Sequence, residues 1–143
     1  MKWYLVILLV LLDIVLILTT KESPKLKAVK EKYQTLIDYI DQNSDKVPEK
    51  FHVLKKKVLL SGNSRDVGYN ISKGDEIGLC LDGEVNDIFH VLLHELSHST
   101  VKEYSHSEEF WKNFSELRDL CSNIGLYQKI PERKPFCGKY IQD

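Results

Sequence analysis

The sequence predicts an α+β fold in which one transmembrane helix precedes a small domain built from helices and a small antiparallel sheet. Three observations favour this class: an apolar N-terminal run, helical periodicity in three later segments, and two β-prone runs around a glycine-containing turn. With 143 residues the chain has room for one compact domain and an appendage, but not for two ordinary domains. We therefore expect an anchor in residues 1–22 and a single domain in residues 23–143.

The apolar run extends from Trp3 to Thr20, eighteen residues in which Asp13 is the only charge. A helix of this length, at ~1.5 Å per residue, roughly matches a hydrocarbon layer of ~30 Å. Its apolar side chains populate every face, which disfavours a helix packed into a soluble core. A cleaved signal peptide is the main alternative, but the run is long for one and ends in Leu-Thr-Thr-Lys-Glu-Ser-Pro, without a small-residue cleavage site. We therefore predict an uncleaved single-pass membrane anchor.

The charges that flank this run predict its orientation. Lys2 stands alone before the run, whereas four lysines follow it closely: Lys21, Lys25, Lys27 and Lys30. Because positively charged flanks tend to stay in the cytoplasm, we expect the C-terminal domain on the cytoplasmic side of the membrane.

The cysteines support the same side. Cys80, Cys121 and Cys137 are odd in number and lack both the dense spacing of a disulfide scaffold and a CxxC pair. We therefore expect three buried, reduced thiols, as in a reducing environment.

Charge also bears on possible partners. The formal net charge is -1, and no basic platform for nucleic acid stands out, so no nucleic-acid partner is expected. Residues 21–57 carry ten lysines against six acidic residues. We interpret this lysine-rich part as a solvated helix face, with contact to lipid headgroups as the weaker alternative.

Periodicity then predicts the elements of the domain in order. Pro24 begins an amphipathic helix that ends before Asn43, and residues 58–60 form a short strand. Residues 67–72 and 77–81 form a hairpin around Lys73-Gly74-Asp75.

Two further helices and a strand complete the predicted domain. Asn86 or Asp87 caps a helix that runs to about Thr100. Ser107 caps a second helix that ends at Gly125. Residues 135–141 have enough bulk to pack back as a strand.

The first of these two helices carries the sequence His94-Glu-Leu-Ser-His98, an H-E-x-x-H motif. Residues four apart are neighbours on a helix, so both imidazoles can reach one Zn²⁺, and Glu95 lies one position round, near the open metal position. This arrangement suits hydrolysis, since a metal-activated water needs a carboxylate general base beside it. The alternative is a chance match in which the histidines are only surface residues.

A third ligand strengthens the zinc hypothesis. His106 follows His98 after a seven-residue gap, and a loop of that length can fold back onto the metal. His90 is too far from His98 along an unbroken helix to share the ion, so we interpret it as a packing or supporting residue. Glu108 and Glu109 are alternative ligands. Both lie in the first turn of the predicted second helix, however, where acidic side chains are favoured by the helix dipole without any metal.

The two histidine segments, His94-Glu-Leu-Ser-His98 and His106-Ser-Glu-Glu-Phe110-Trp111, together resemble the HELxH…HxxxFW pattern of WLM and SprT-like zinc metallopeptidases. Residues 67–141 are similar to the small WLM-like proteins of large nucleocytoplasmic DNA viruses, through Tyr69-Asn-Ile-Ser-Lys-Gly74, Leu79-Cys-Leu81 and Pro135-Phe-Cys-Gly138. The gap between the second and third histidines is longer than in cellular WLM proteins.

The resemblance implies a zincin-like domain in which His94, His98 and His106 bind zinc and Glu95 is the base. It also implies that the hairpin before the zinc helix offers an edge to an extended substrate. Cellular relatives act on proteins crosslinked to DNA, whereas the anchor and the lack of a basic patch favour a different protein substrate here.

The sequence thus predicts a membrane-anchored zinc metallopeptidase that cleaves proteins or peptides. Two alternatives remain: hydrolysis of a non-peptide substrate, and a non-catalytic membrane or virion component that zinc only stabilises. Retention of Glu95 argues against the second, because a structural zinc site needs no base. Tyr104, Tyr127 and Tyr140 are candidate oxyanion stabilisers by chemistry alone.

Overall fold

The computed structural model describes residues 2–19, 22–63, 66–71 and 75–143, and its α+β class confirms the prediction. These residues contain four α-helices: α1 (Lys2–Thr19), α2 (Pro24–Gln42), α3 (Val85–Ser97) and α4 (Glu108–Asn123). The strands are β1 (Leu59–Asn63), β2 (Gly68–Ile71), β3 (Glu76–Cys80), β4 (Lys134–Phe136) and β5 (Lys139–Ile141). Two short 3₁₀ helices cover Glu49–Lys55 and His98–Thr100.

Helix α1 is exposed along its whole length, so it contributes nothing to the hydrophobic core. Its eighteen residues are long and apolar enough to cross a membrane, a property that signal sequences share. The interpretation of this segment as a packed core helix is therefore excluded, as the sequence predicted. Thr20 and Lys21, at the predicted end of the anchor, lie outside the described residues.

Helix α2 begins and ends where the periodicity predicted, with Pro24 in its first turn and Asn43 at its C-cap. One face of the helix is buried, and it consists of Leu26, Val29, Tyr33, Leu36, Ile37 and Ile40. The backbone N–H of Val58 donates to the Tyr33 hydroxyl at 2.9 Å, which fixes the chain just before β1. The amphipathic pattern therefore defines one wall of the core.

The larger sheet has the strand order β1-β3-β2, with β3 in the centre. Strands β2 and β3 pair antiparallel, as the predicted hairpin requires. Lys73 and Gly74 of the predicted turn lie outside the described residues. Strand β1, however, pairs parallel to β3, with Leu60 opposite Ile77, so the sheet is mixed and the expectation of an all-antiparallel sheet is wrong for β1. The alternation of exposed Leu59 and buried Leu60 identifies a strand but fits either direction of pairing.

The cap of α3 also differs from the prediction. Glu84 is the N-cap, and it forms a capping box with Asp87, whose carboxylate accepts the Glu84 backbone N–H at 3.4 Å. Asn86 is not the cap, because its side chain binds both backbone groups of Gln128 at 2.8 Å. The motif helix therefore starts earlier than expected, and it continues as a 3₁₀ turn to Thr100, where the sequence predicted its end.

Helix α4 confirms its predicted boundaries. The Ser107 hydroxyl oxygen accepts the backbone N–H of Phe110 at 3.2 Å, and Gly125 adopts φ +78° just after the helix. The buried positions of α4 include Phe110 and Phe114, whose rings pack against the His94 ring. The predicted C-terminal strand is instead the hairpin of β4 and β5, which turns at Cys137 and Gly138.

Two of the three cysteines are paired, which corrects the expectation of reduced thiols. Cys80, at the end of β3, forms a disulfide with Cys137, and their Cα atoms are 6.5 Å apart. Only Cys121 is a free, buried thiol as predicted. The two partners are 57 positions apart, so their pairing depends on the tertiary fold and has no local signal. The bond fastens the C-terminal hairpin to the central strand.

The double variant Cys80→Ala, Cys137→Ala is expected to lose about 2–4 kcal/mol of unfolding free energy, because it releases a long loop in the unfolded chain. Chemical denaturation of the oxidised protein and of the variant measures the difference. Wild-type protein under reducing denaturation should match the variant. A loss below about 0.5 kcal/mol would show that other contacts hold the hairpin in place.

Candidate metal centre

Helix α3 and the 3₁₀ turn after it hold His94 and His98 side by side. Their ring centroids are 5.3 Å apart, as expected for residues four positions apart on a helix. The His94 ring packs edge-on against Phe110 and Phe114 of α4, at centroid distances of 5.0 and 5.3 Å. These two buried aromatic rings therefore hold the His94 ring in position from its buried side.

His106 returns to this pair from the loop before α4. Its Nε2 lies 3.1 Å from His94 Nε2, and its ring centroid is 4.9 Å from that of His98. The Trp111 ring stacks on the His106 ring at 5.4 Å and 29°. The loop is held by the buried side chain of Val101 at its start and by the first turn of α4 at its end.

The donor atoms of His94, His98 and His106 all lie within 4.8 Å of one another. Three nitrogens around a tetrahedral Zn²⁺ at ~2.0–2.1 Å are about 3.4 Å apart, so small side-chain movements bring the triad to ligand geometry. Burial and the neighbouring rings of His98 and His106 lower the pKa of His94 to about 3, which keeps it in the neutral form that binds metals. The three histidines could therefore hold a metal ion.

The alternative ligands are not part of this group. Within the described chain, the metal-ligating clusters are the histidine triad and a second set, Cys80, Asp82 and Cys137. The two cysteines of the second set form the disulfide, so they supply no thiolate. Glu108 and Glu109 belong to neither cluster and lie in the first turn of α4.

Glu95 lies beside the triad and is buried, with 8% of its surface exposed. Burial raises the pKa of its carboxyl to about 7. Gly68 of β2 leaves space for the Glu95 side chain, because a Cβ at this position would lie 3.4 Å from Glu95 Oε1 and 2.6 Å from a Val91 methyl. The Asn70 side chain donates to the Glu95 backbone carbonyl at 2.8 Å, so β2 is fixed against the motif helix.

The triad and Glu95 open into a cavity of about 470 Å³. One wall is formed by α3 from His90 onward and by His98 of the 3₁₀ turn, and a second by Trp111 and Phe114 of α4. A third wall is residues 139–142 of the C-terminal hairpin. The sequence did not identify this third wall, because only the tertiary fold and the disulfide bring the hairpin to the site.

The three candidate tyrosines occupy different places. Tyr140 is 59% exposed and lines the main cavity, and Tyr104 is 78% exposed and lines a smaller cavity with Asn70, Glu95 and His98. Tyr127 is buried and hydrogen-bonded to His90 Nδ1 at 2.8 Å. Of the three, Tyr104 and Tyr140 therefore line open cavities beside Glu95 and His98.

His90 is buried on the same cavity wall and outside the triad, as the helix geometry predicted. Its ring also contacts Phe114 edge-on at 5.3 Å. The Asp143 carboxylate accepts a hydrogen bond from the Tyr127 hydroxyl and another from the backbone N–H of Ile130, the latter at 2.8 Å. It also lies 3.9 Å from the Arg118 guanidinium. A polar network thus extends from His90 into the C-terminal segment.

No protein-family model matches the sequence. No solved structure matches it either. Uncharacterized protein R325 of Acanthamoeba polyphaga mimivirus is 31% identical over 134 residues, which cover 80% of this chain and 68% of that protein. Uncharacterized protein 136R of Invertebrate iridescent virus 6 is 31% identical over 96 residues, which cover 65% of this chain and 45% of that protein. The chain therefore belongs to the viral protein family that includes R325 of Acanthamoeba polyphaga mimivirus.

Proposed function

We propose that this chain is a viral zinc metallopeptidase with a zincin-like domain, tethered to a membrane by α1. The observation that carries the proposal is the juxtaposition of three histidine donors within 4.8 Å with the buried Glu95 carboxyl in the same open cavity. A site that only stabilised the fold would need neither the carboxyl nor the cavity.

The residues around the cavity suit peptide hydrolysis. Zinc held by the three histidines would supply a Lewis acid that polarises a carbonyl and acidifies a water molecule. Glu95 takes a proton from the attacking water while the water oxygen bonds to the carbonyl carbon of the peptide. Glu95 then delivers that proton to the leaving amine as the C–N bond breaks. A carboxyl whose burial raises its pKa to about 7 is suited both to accept and to release a proton near neutral pH.

The sheet edge supports a peptide as the substrate. Strand β2 is the outer strand beside β3, and Gly68 at its start also lines the cavity. An extended peptide that pairs with β2 would therefore run past Glu95 and the triad, with backbone hydrogen bonds supplying affinity. The direct test is whether zinc-loaded protein cleaves peptides and whether Glu95→Gln abolishes that cleavage.

The side of the membrane depends on two opposing observations. The lysines after α1 predicted the cytoplasmic side, whereas the Cys80–Cys137 disulfide is typical of an oxidising compartment or a virus particle. The disulfide is a bond within the folded domain, whereas the lysines only flank the apolar helix. We therefore propose that the domain faces the oxidising side, and protease protection of intact vesicles distinguishes the two orientations.

We expect the chain to remain membrane-bound with its first twenty residues intact, because α1 is long enough to span and no small-residue cleavage site follows it. Carbonate extraction of membranes followed by N-terminal mass spectrometry measures both properties. A variant that lacks residues 2–19 should be recovered in the soluble fraction. A mature N-terminus near Lys21 would show instead that α1 is a signal sequence.

A further inference from the structure

His90 lies one helical turn before His94 and lines the same cavity as the triad and Glu95, yet the chemistry proposed above does not use it. The residue is 5% exposed, so its polar ring has been removed from bulk water. A buried imidazole in a cavity wall needs partners for both of its nitrogens. The contacts of the two nitrogens differ.

Nδ1 is satisfied within the protein. It lies 2.8 Å from the Tyr127 hydroxyl and 3.4 Å from an Asp143 carboxylate oxygen. The Tyr127 hydroxyl has one proton, and it donates that proton to Asp143. Nδ1 must therefore carry the proton on the His90 ring and donate it to the tyrosine oxygen.

Nε2 is consequently the acceptor nitrogen of the neutral ring. No hydrogen bond reaches it from the part of the chain that the structure describes, whereas Nδ1 has its partner. Burial lowers the pKa of His90 to about 4, although Asp143 opposes this shift and Arg118 adds to it. Such a ring accepts a hydrogen bond at neutral pH but is too weak a base to hold a proton.

We propose that His90 is a substrate-binding residue whose Nε2 accepts a hydrogen bond from a backbone amide N–H of the bound peptide. This inference rests on the proposed function for the identity of the ligand. The wall formed by residues 139–142 faces the same cavity, so a peptide that leaves the metal site between this wall and α3 passes His90. An amide N–H is the donor that every peptide supplies at regular intervals.

The test uses the full chain, loaded with zinc in detergent, and a peptidyl hydroxamate as the probe. Hydroxamate analogues that are N-methylated at one amide at a time are titrated by calorimetry. One analogue should bind about tenfold weaker to the wild type, the effect of one lost hydrogen bond. With the His90→Phe variant, the same N-methylation should weaken binding at most about twofold, because this variant already lacks the acceptor nitrogen.

Two control variants sharpen the result. Tyr127→Phe removes the hydroxyl that selects the tautomer, so the N-methyl penalty should become smaller without disappearing. His52→Phe changes a histidine that binds the Ser44 carbonyl away from the cavity, and it should leave the penalty unchanged. Penalties that are equal in wild type and His90→Phe overturn the inference and leave the proposed hydrolysis intact.

A second measurement does not depend on zinc, activity or a foldable variant. The ¹⁵N shifts of the His90 ring in the wild-type protein should show a protonated Nδ1 and an unprotonated Nε2 at pH 7. A ring protonated on Nε2, or on both nitrogens, contradicts the inference directly. Binding of the hydroxamate without zinc, together with the expected His90 dependence, would count against the metal centre and still support the role of His90.

Discussion

Glu95→Gln is expected to retain zinc and to lose peptide hydrolysis by about a hundred- to ten-thousand-fold, the usual contribution of a general base. The substitution keeps the size of the side chain and leaves all three histidines in place. An amide can neither take the proton of the attacking water nor deliver it to the leaving amine. Metal analysis of the purified protein and initial rates on a peptide mixture test the two expectations together.

Glu109→Gln is the matched control for this experiment. It makes the same chemical change on an exposed side chain in the first turn of α4, outside the metal-ligating clusters of the described chain. Its hydrolysis rate and zinc content should equal those of the wild type. Equal cleavage by Glu95→Gln and wild type would remove Glu95 from the mechanism, and a zinc-loaded wild type that cleaves no peptide favours a non-catalytic zinc site.

The sequence predicted those parts of the fold that local patterns determine. The buried stripe of α2 repeats at helical spacing, and the ends of α4 are set by Ser107 and Gly125, whose roles depend on adjacent residues only. The histidine triad belongs to this class in part, because His94 and His98 are neighbours on one helix. His106 required the further inference that the intervening loop folds back.

Features that depend on distant segments could not be predicted in this way. The parallel pairing of β1 and the bond between Cys80 and Cys137 join segments that no local pattern relates. The same holds for the cavity wall at residues 139–142 and for the contact of Tyr127 with His90. Each of these adds a surface or a restraint to a site whose ligand residues were visible in the sequence.

His106→Ala is expected to weaken zinc binding at least about a hundredfold, since residues that only support metal ligands already cost about 10- to 100-fold and a ligand should cost more. The substitution removes the nitrogen that lies 3.1 Å from His94 Nε2 and leaves the Ser107 cap of α4 in place. Competition with a chromogenic chelator measures the affinity, and circular dichroism confirms that α4 still forms.

Glu108→Ala and Glu109→Ala separate the triad from a site with two histidines and one carboxylate. Both residues lie in the first turn of α4, where a negative charge stabilises the helix by about 0.3–1 kcal/mol. Each variant should therefore keep wild-type zinc affinity and lose no more than that amount of stability. His90→Phe should also retain zinc, because His90 lies outside the ligand cluster. If zinc stays bound in His106→Ala and is lost in either glutamate variant, a carboxylate of α4 is the third ligand, and the loop must rearrange when the metal binds.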